Sequence, residues 1–592
     1  MGANEKIASL LEQMAEMLEL LGEDKFRVNA HARAARAIES LGPDVTTMSR
    51  GDVLALDGIG AKMADKIEEF AKRGAIAEHE ELAARVPAGL LEVLRVPGLG
   101  PKTVKLMWEE KGVESIADLK RIIDDGTILE LPRMGAKTVE NIKKSLAFAE
   151  GSGQRLPLGL AMPIAEAVVA HMEKVKGVER VAFAGSLRRG RETIGDIDIL
   201  VCAKDPKKAH EAFTSMPGVR EVLASGETKS SVRMDLSTDG GRWGALGAGG
   251  VQVDLRTLPI ASWGAALMYF TGSKEHNVRL RERALKKGLT LNEYGLFPED
   301  DDKTPPQHRG VKPVASKTEE EVYAALGQAF VPPEAREDRG EFDREGWDDL
   351  VTIDDIRAEL HAHTTASDGL MSIEELARRA KERGFHTIVV TDHSRASAQA
   401  NGLSIDRLME QIEDVARARS VVKGIQILTG SEVDILADGT LDYPDDVLRK
   451  LDVVVASPHV STNQEPDVAT KRLLSAVSHP MVHVLGHPTA RLINRRPGLS
   501  PDMGAIIAAA KENSVALEVN AHWMRLDLRD AHVRMAVDAG CLVAIDCDDH
   551  APEDFDNLRY GVMTARRGWL TKALCVNTWT QKKLTEWLRS KR

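Results

Sequence analysis

The stretch Gly185-Ser-Leu-Arg-Arg-Gly-Arg-Glu-Thr-Ile-Gly-Asp-Ile-Asp198 decides the fold of the middle of the chain. Asp196 and Asp198 are spaced i, i+2 on a predicted strand, so both carboxylates lie on one face of a sheet. Asp254 lies in a second alternating apolar stretch and is the natural third ligand from a neighbouring strand. Such carboxylates can hold a pair of Mg²⁺ or Mn²⁺ ions, which would activate an attacking hydroxyl and neutralise a triphosphate. The spacing predicts nucleotidyl transfer by two metal ions.

The turn before these aspartates strengthens the prediction. An isolated Asp-x-Asp is most often a surface turn or the end of a strand. Here the preceding Gly-Ser-x-Arg-Arg-Gly turn offers N–H groups, a hydroxyl and a guanidinium to phosphates. Residues 237–250, which read STDGGRWGALGAGG, lengthen the connection to Asp254. This insertion could be inert or could touch DNA, and we expect it to be inert.

The composition is typical of an ordinary protein with several domains. The 592 residues imply about two to four domains. The net charge of −12 argues against a surface coated in positive charge, so DNA binding would need metal ions, backbone amides and short basic stretches. We find no apolar run long enough for a membrane span and expect none. The four cysteines lack metal-knuckle spacing, which indicates reduced thiols of a cytoplasmic protein.

Three glycine-containing turns interrupt a helical region at residues 1–150: Gly58-Ile-Gly60, Gly98-Leu-Gly100 and Arg133-Met-Gly135. Glycine lets the backbone approach a phosphate, and the free N–H groups of the next helix can hold that anion. A single turn of this kind is explained equally well as a joint between two packed helices. Three copies favour sequence-independent binding to the DNA backbone. For the third, which has an arginine in place of the first glycine, a structural role is the alternative.

Short apolar strands alternate with helices from residue 352 to the end, which predicts a parallel α/β barrel with its chemistry at the strand carboxyl ends. Each candidate ligand alone would more often be an ordinary residue, but these occur in order, mostly at strand ends. They contain His, Asp and Glu without Cys, which suits Mn²⁺, Zn²⁺ or Fe²⁺ and the hydrolysis of a phosphoester. The candidate ligands are His361, His363, Asp368, His393, Glu432, His459, His487, Asp548 and His550.

The central region resembles the family X DNA polymerases. GSLRRGRETIGDIDIL is similar to their nucleotidyltransferase signature, and GETKSSV, VQVDLR, YFTGSKEHNVRLR and LNEYGL follow in order. The resemblance implies that Asp196 and Asp198 bind both metals, and that Asp254 binds the catalytic metal and helps to deprotonate the primer hydroxyl. It implies DNA contacts by Arg281 and by the helix-hairpin-helix glycines Gly58, Gly60, Gly98 and Gly100. The nucleotide-binding residues it implies are Ser186, Arg189, Gly195, Tyr269, Phe270, Thr271, Gly272 and Asn277.

Residues 56–67 resemble the lyase domain of DNA polymerase beta. The resemblance implies that Lys66 forms a Schiff base with an abasic sugar, which requires an uncharged amine. A contact between Lys66 and a DNA phosphate is the alternative. The surroundings depart from the pattern, because His31 stands where polymerase beta has Tyr and Arg27 where it has Lys.

The C-terminal region resembles the polymerase and histidinol phosphatase (PHP) domain. Its motifs include LHAHTTASDG, VVTDHS, GSEVDIL, ASPHVS, LGHPTAR, LEVNAH and DCDDH. Every position of that family's three-metal site carries a usable ligand, with Asp368 where many relatives have His. The resemblance implies three divalent metals (Mn²⁺, Zn²⁺ or Fe²⁺). Asp392 precedes the ligand His393 and is expected to support the ligands from outside the cluster, and His522 is expected to be a bystander.

Together these features predict an α-helical N-terminal domain with helix-hairpin-helix motifs, an α+β nucleotidyltransferase palm and thumb, and a C-terminal α/β, distorted TIM-like PHP barrel. The expected boundaries are 1–85 for an 8-kDa-like helical domain, 86–150 for fingers, 151–260 for the palm, 261–331 for the thumb, 332–352 for a linker and 353–592 for the barrel.

The expected function is filling of short gaps in base excision repair or end joining, with a PHP 3′–5′ exonuclease that processes 3′ ends. Apurinic-site cleavage, removal of a 3′ phosphate, hydrolysis of a small phosphoester and a scaffold role at DNA ends are the alternatives. The expected partners are gapped or nicked DNA and dNTPs. We expect a monomer in the cytoplasm, associated with the nucleoid.

Overall fold

The computed structural model describes the chain except for residues 1, 2, 40, 42, 95, 97, 98, 133, 136, 137, 140, 141, 144, 145, 147–154, 236–249 and 592. The chain divides into two compact units, residues 1–154 and 155–592. None of the helices in the described residues is both long and apolar enough to cross a membrane. Gly98, Arg133 and nearly all of the 237–250 insertion lie outside the described residues.

The first unit is helical, as its periodicity predicts. In the first helix Ile7, Leu11, Met14 and Leu18 recur at helical spacing and are completely buried. This stripe packs against the second helix, so burial of apolar surface holds the two together. The helices are Ala3–Leu21, Lys25–Glu39, Arg50–Ala55, Ala61–Arg73, Ala77–Arg85, Gly89–Leu94, Pro101–Lys111 and Ile116–Asp124.

The second unit begins with a mixed sheet of five strands in the order β2-β4-β7-β6-β5, in which β4 and β7 are parallel. Ile197 and Ile199 of β4 join the core formed with the helices Leu158–Glu173 and Pro206–Thr214. The strands are β1 (Leu156–Pro157), β2 (Val178–Phe183), β3 (Thr193–Ile194), β4 (Asp196–Ala203), β5 (Val219–Ser225), β6 (Lys229–Met234) and β7 (Val251–Thr257).

The next part is built from the helices Trp263–Thr271, Lys274–Leu285 and Glu319–Ala325 with a hairpin of β8 (Leu289–Asn292) and β9 (Gly295–Pro298). The charged segment 332–349, predicted to be an interdomain linker, is packed against it. Arg336 is completely buried and its Nη1 lies 2.7 Å from Glu319 Oε1. Glu341 is also buried, 2.7 Å from His276 Nδ1. A buried ion pair and a buried hydrogen bond therefore hold this segment in place.

The C-terminal part is a nearly closed barrel of seven parallel strands, paired in chain order. A parallel bridge between Ala362 and Asp549 joins the segments that follow the first and last strands. The predicted parallel α/β barrel is confirmed. The strands are β10 (Ala358–Glu359), β11 (Thr387–Val390), β12 (Gln426–Asp434), β13 (Val453–Ser457), β14 (Val484–Leu485), β15 (Ala516–Asn520) and β16 (Val543–Asp546).

Helices cover the outside of the barrel and pack on an apolar core. They are Ile373–Glu382, Ile405–Val421, Asp445–Leu448, Pro466–Val477, Met503–Glu512, Asp530–Ala539, Leu558–Arg567 and Gln581–Arg589.

The five-stranded sheet and the barrel share a hydrophobic core. Trp523, Leu526 and Tyr560 of the barrel lie in the same buried cluster as Leu158 and Val253. Gly159 touches the Trp523 ring so closely that a Cβ at this position would overlap it. This close packing holds the barrel directly against the sheet, so the two parts are joined by a shared core and not only by a linker.

Candidate active sites

The first site is a group of three carboxylates on β4 and β7, two adjacent interior strands of the five-stranded sheet. Asp196 and Asp198 alternate along β4, and Asp254 on the parallel β7 lies directly opposite Asp198 in the strand register. Gly185 has a φ of +62°, and a Cβ there would overlap the Asp198 carboxylate. Glycine is therefore needed at this position for the 185–190 turn to approach the carboxylates.

Burial and the charges of Asp196 and Asp254 raise the pKa of Asp198 to about 7. Lys229 Nζ lies 2.5 Å from Asp254 Oδ2, and Gln252 Nε2 donates to Asp254 Oδ1 over 3.0 Å. A cation bound between the aspartates would relieve their repulsion, because an adjacent positive charge favours the ionised carboxylate. The donor set is all carboxylate oxygen, which suits Mg²⁺ or Mn²⁺.

Several residues predicted to bind nucleotide lie close to one another. Tyr269, Phe270 and Thr271 end the helix Trp263–Thr271, and Gly272 is its C-cap. Arg189 Nη1 donates to the Thr271 carbonyl over 2.6 Å. These contacts join the 185–190 turn to the end of that helix.

The other predicted nucleotide-binding and DNA-binding residues at this site lie on the helix Lys274–Leu285 and in the segment before β4. Asn277 Nδ2 donates to the Tyr269 carbonyl over 2.7 Å, and Arg281 Nε donates to the Asn277 carbonyl over 3.3 Å. Ser186 is half-buried in the short helix Gly185–Arg188, and Gly195 is exposed just before β4.

Arg189 is also held by a residue that the sequence reasoning did not single out. Its Nε lies 3.0 Å from Glu337 Oε1, and both side chains are nearly buried. Glu337 comes from the segment predicted to be a linker, 148 residues away in the chain. Nothing in its local sequence signals this contact, because it depends on how distant segments pack.

The second site gathers the nine predicted barrel residues. Their ligating atoms form sets in which every pair of atoms lies within 4.8 Å. Several residues belong to more than one set, so the sets form one continuous cluster. The sets are His363, Asp368, His393 and His550; His361, His363 and Asp548; His361, Glu432 and His487; and His393, Glu432 and His459.

Many polar atoms of this cluster are buried and make no well-aligned hydrogen bond to a described residue, although some approach one another, as His487 Nε2 and Glu432 Oε1 do at 3.0 Å. They include His361 Nε2, both ring nitrogens of His363 and His487, and both carboxylate oxygens of Glu432. Buried polar groups without a partner are costly, so this pattern calls for a bound group. A cluster of divalent cations fits it, because imidazole and carboxylate are ligands of such ions.

Two of the imidazoles are held in the neutral form that binds metals. Burial and the neighbouring rings of His550 and His393 lower the pKa of His363 to about 3. Burial and the charge of Arg525 lower the pKa of His487 to about 4. Since a metal competes with a proton for the same nitrogen, these environments favour coordination near neutral pH.

Residues outside the nine orient the ligands. Glu518 Oε1 lies 2.6 Å from His361 Nδ1, and its Oε2 accepts a hydrogen bond from the backbone N–H of His487. Asp434 Oδ1 lies 3.1 Å from His459 Nδ1. A proton on each Nδ1 leaves Nε2 for a metal. Neither carboxylate is among the residues predicted from the sequence, although Asp434 lies two residues after Glu432 on β12 and so shares its face.

Asp392, predicted to support the metal ligands from outside the cluster, holds the loop that leads to Asp368. It accepts hydrogen bonds from the Thr364 N–H over 2.8 Å and the Thr364 hydroxyl over 2.7 Å. The Ser367 N–H also donates to it, over 3.2 Å. Asp368 Oδ1 then lies 3.4 Å from His550 Nε2.

Two of the predicted glycine turns lead directly into helix starts that have no side-chain cap. Gly60 and Gly100 are the N-caps of the helices Ala61–Arg73 and Pro101–Lys111, and neither start has a side-chain cap bond. A Cβ at either glycine would meet nothing within 4 Å. At Gly135, in the third turn, the carbonyl accepts from the N–H three residues later over 2.9 Å, as it does at Gly60 and Gly100. The open approach suits an anion at the first two helix starts.

Lys66, the predicted lyase nucleophile, is tied to a carboxylate. Its Nζ lies 2.6 Å from Glu78 Oε2, and Arg27 Nη2 lies 2.7 Å from Glu78 Oε1. Burial opposes ionisation of Glu78, but these two cations lower its pKa. A free amine at Lys66 would require this ion pair to open.

The sequence matches family models along most of its length. They are a helix-hairpin-helix domain at residues 2–76, a SAM-like helix-hairpin-helix tandem at 90–147, the DNA polymerase beta palm at 155–253, the DNA polymerase beta thumb at 266–337, and the PHP domain at 359–522.

Curated proteins are similar over the whole chain or over its parts. The chain is 35% identical over 588 residues to the DNA polymerase/3′-5′ exonuclease PolX of Bacillus subtilis (strain 168), covering 98% of this chain and 99% of that protein. DNA polymerase lambda of Rattus norvegicus is 26% identical over 347 residues, 56% of each chain. A probable phosphatase of Thermoanaerobacter sp. (strain X514) is 29% identical over 247 residues, 39% of this chain and 94% of that protein.

Proposed function

Because the chain belongs to the family X DNA polymerases that carry a C-terminal PHP domain, we propose that it fills short DNA gaps during repair and shortens 3′ ends at a second site. The first site would use gapped or nicked DNA and a dNTP. The observation that carries this activity is the register of Asp198 opposite Asp254 on adjacent parallel strands. The gathering of nine ligands in the barrel carries the second activity.

At the polymerase site, the residues would bind and orient the reactants. Ser186, Arg189 and the N–H groups of the 185–190 turn would hold the triphosphate, because this turn lies against the Asp198 carboxylate at Gly185. The end of the helix Trp263–Thr271 would line the sugar pocket, and Asn277 would contact the nascent base pair.

The proton of the primer 3′ hydroxyl would pass to Asp254, while Lys229 neutralises part of the local charge. Divalent cations held by Asp196, Asp198 and Asp254 would supply activation of the hydroxyl and stabilisation of the transferring phosphate. The reaction would form the new phosphodiester bond and release pyrophosphate.

At the barrel site, the nine ligands would hold divalent cations that supply activation of water and neutralisation of a phosphate. Glu518 and Asp434 would keep the Nε2 atoms of His361 and His459 directed into the cluster. Hydrolysis of the terminal phosphodiester would release a nucleotide from the 3′ end.

Removal of a 3′ phosphate is the second candidate for the barrel. It is favoured by the similarity to a probable phosphatase, which the chain covers over 94% of that protein's length. A phosphomonoester and a phosphodiester present the same oxygens to the cations, so the cluster itself does not discriminate between them. Cleavage at an abasic site would use the same chemistry.

The remaining assignments follow from the proposed substrate. Gly60 and Gly100 would hold DNA phosphates at their uncapped helix starts, together with Gly58, Gly98 and Arg281. Lys66 would act on a 5′ abasic sugar only after its pair with Glu78 opens; contact with a phosphate is the alternative. Both proposed sites are formed by residues of a single chain, and we propose that the protein acts as a monomer. Its DNA substrate would place it at the nucleoid.

Two substitutions separate the sites. Asp198→Ala is expected to abolish extension of a gapped primer and to spare shortening of the 3′ end, whereas His363→Ala is expected to do the reverse. Both activities are measured in one incubation with gapped DNA, one dNTP and Mn²⁺. Loss of both activities in either variant would contradict the assignment of two independent sites. A 3′-phosphorylated primer in parallel tests the second candidate for the barrel.

A further inference from the structure

One side chain of the barrel contacts the 185–190 turn of the polymerase site. Arg567 is the last residue of the helix Leu558–Arg567 and is 5% exposed. Its Nη1 donates to the backbone carbonyl of Arg189 over 2.8 Å. The same Nη1 donates to Glu337 Oε1, also over 2.8 Å. Arg567 therefore holds both the backbone of the turn and the carboxylate that pairs with the Arg189 side chain.

The other side of the Arg567 guanidinium is anchored within the barrel. Its Nε lies 3.1 Å from Asp530 Oδ2, and its Nη2 lies 2.9 Å from the same oxygen. Arg339 Nη1 also approaches Asp530 Oδ2, at 3.1 Å. The planar guanidinium thus spans from Asp530 to the turn, which the single ammonium of a lysine could not do.

A second contact supports the same turn from the same helix. Gly190 ends the turn with a φ of +65°, and a Cβ there would lie 3.0 Å from Met563 Cβ. Met563 and Arg567 are four residues apart and lie on the same face of the helix. That face contacts two successive residues of the 185–190 turn, Arg189 and Gly190. The position of the turn therefore depends on this helix.

We propose that Arg567, a residue of the PHP barrel, is a positioning residue for nucleotide binding at the polymerase site. The inference rests on the proposed role of the 185–190 turn in holding the triphosphate. Arg567 does not touch the substrate; it holds Arg189 where its side chain and the turn can. The barrel then serves gap filling as well as 3′ processing.

The alternative is that Arg567 only joins two parts of the protein. Arg559, on the same helix, makes that kind of contact, because its Nη1 lies 2.7 Å from Glu166 Oε1 on the helix Leu158–Glu173. It makes no described contact with the 185–190 turn. Arg559→Lys is therefore the matched control for Arg567→Lys.

The test is steady-state kinetics of the full-length chain on gapped DNA. Arg567→Lys keeps a cation between Glu337 and Asp530 but removes the bond to the turn. We expect the KM for the incoming dNTP to rise about tenfold and kcat to stay within about threefold, because a misplaced turn weakens triphosphate binding before and during the reaction. We expect 3′ shortening and the melting temperature to stay close to those of the unmodified chain. Arg559→Lys should leave the KM within about twofold.

A second variant covers the case in which Arg567→Lys disturbs folding. Met563→Ala removes the packing at Gly190 without touching a charge, and we expect a rise of about threefold in the KM for the dNTP. An unchanged KM in both variants, or an equal fall of extension and 3′ shortening, overturns the inference. Failure of the unmodified chain to extend the primer overturns the proposed function itself, so the two failures are distinguishable.

Discussion

Replacement of Glu518 by alanine is expected to weaken metal binding in the barrel and to leave the polymerase site untouched. Glu518 is buried, lies 2.6 Å from His361 Nδ1, and accepts the His487 N–H over 2.5 Å. Its loss frees the ring of His361 and the backbone of His487. Both ligands would then have to be ordered when the metal binds.

The magnitude can be worked out from these contacts. A hydrogen bond to a charged group contributes about 1.5–3 kcal/mol, and at about 1.4 kcal/mol for each factor of ten this is about a 10- to 100-fold loss of affinity. Loss of a carboxylate that orients a metal-bound histidine has the same measured range of about 10- to 100-fold. We therefore expect the half-saturating Mn²⁺ concentration for 3′ shortening to rise by that factor.

The assay is a Mn²⁺ titration of metal-stripped protein, with 3′ shortening and primer extension measured on the same DNA. Glu518→Gln keeps an oxygen that can accept from His361, so its shift should be smaller. Glu512→Ala, an exposed glutamate of the preceding helix, is the matched control. An unchanged half-saturating concentration in Glu518→Ala, or an equal loss of extension, would refute the reasoning.

Three further predictions follow from other contacts. Because the pKa of Asp198 is about 7, protonation competes with the metal below that pH, and the half-saturating Mg²⁺ concentration for extension should rise about tenfold from pH 8 to pH 6; a flat profile would contradict this. Trp523→Ala empties the core shared by the sheet and the barrel and should lower the free energy of unfolding by about 3–5 kcal/mol in urea, whereas Leu370→Ala, exposed on the barrel, should have little effect. Borohydride should trap an adduct with a 5′ abasic end in the unmodified chain and not in Lys66→Ala, if Lys66 is the lyase nucleophile; an adduct that survives in the variant would assign another amine.

Spacing along the chain was enough to predict which residues the structure brings together in the two candidate metal sites. Residues i and i+2 on a strand share a face, so Asp196 and Asp198, like His361 and His363, could be paired without a structure. The carboxyl ends of parallel strands lie at one end of a barrel, so ligands at successive strand ends could be expected to meet. The barrel and the gathering of its nine candidate ligands agree with those expectations.

Contacts between distant segments could not be predicted in this way. Glu337 lies in a charged run that looks like a solvated linker, yet its side chain is buried against Arg189 and Arg567. Asp392 was expected to support the metal ligands, but its actual partners, which include Thr364 and Ser367, could not be named from the sequence. Such partners are selected by packing, which pairs whichever buried charges and donors the fold brings together.

The sequence alone predicted the candidate chemistry of this protein: which residues are potential metal ligands, and that they form two separate sets. It could do so because strand periodicity and strand-end position are local properties of the chain. Only the tertiary structure decided how the two sets are supported, through Glu518 beside His361 and Arg567 beside Arg189. Those contacts join residues 157 and 378 positions apart, and the geometry of a shared core, not a local pattern, sets them.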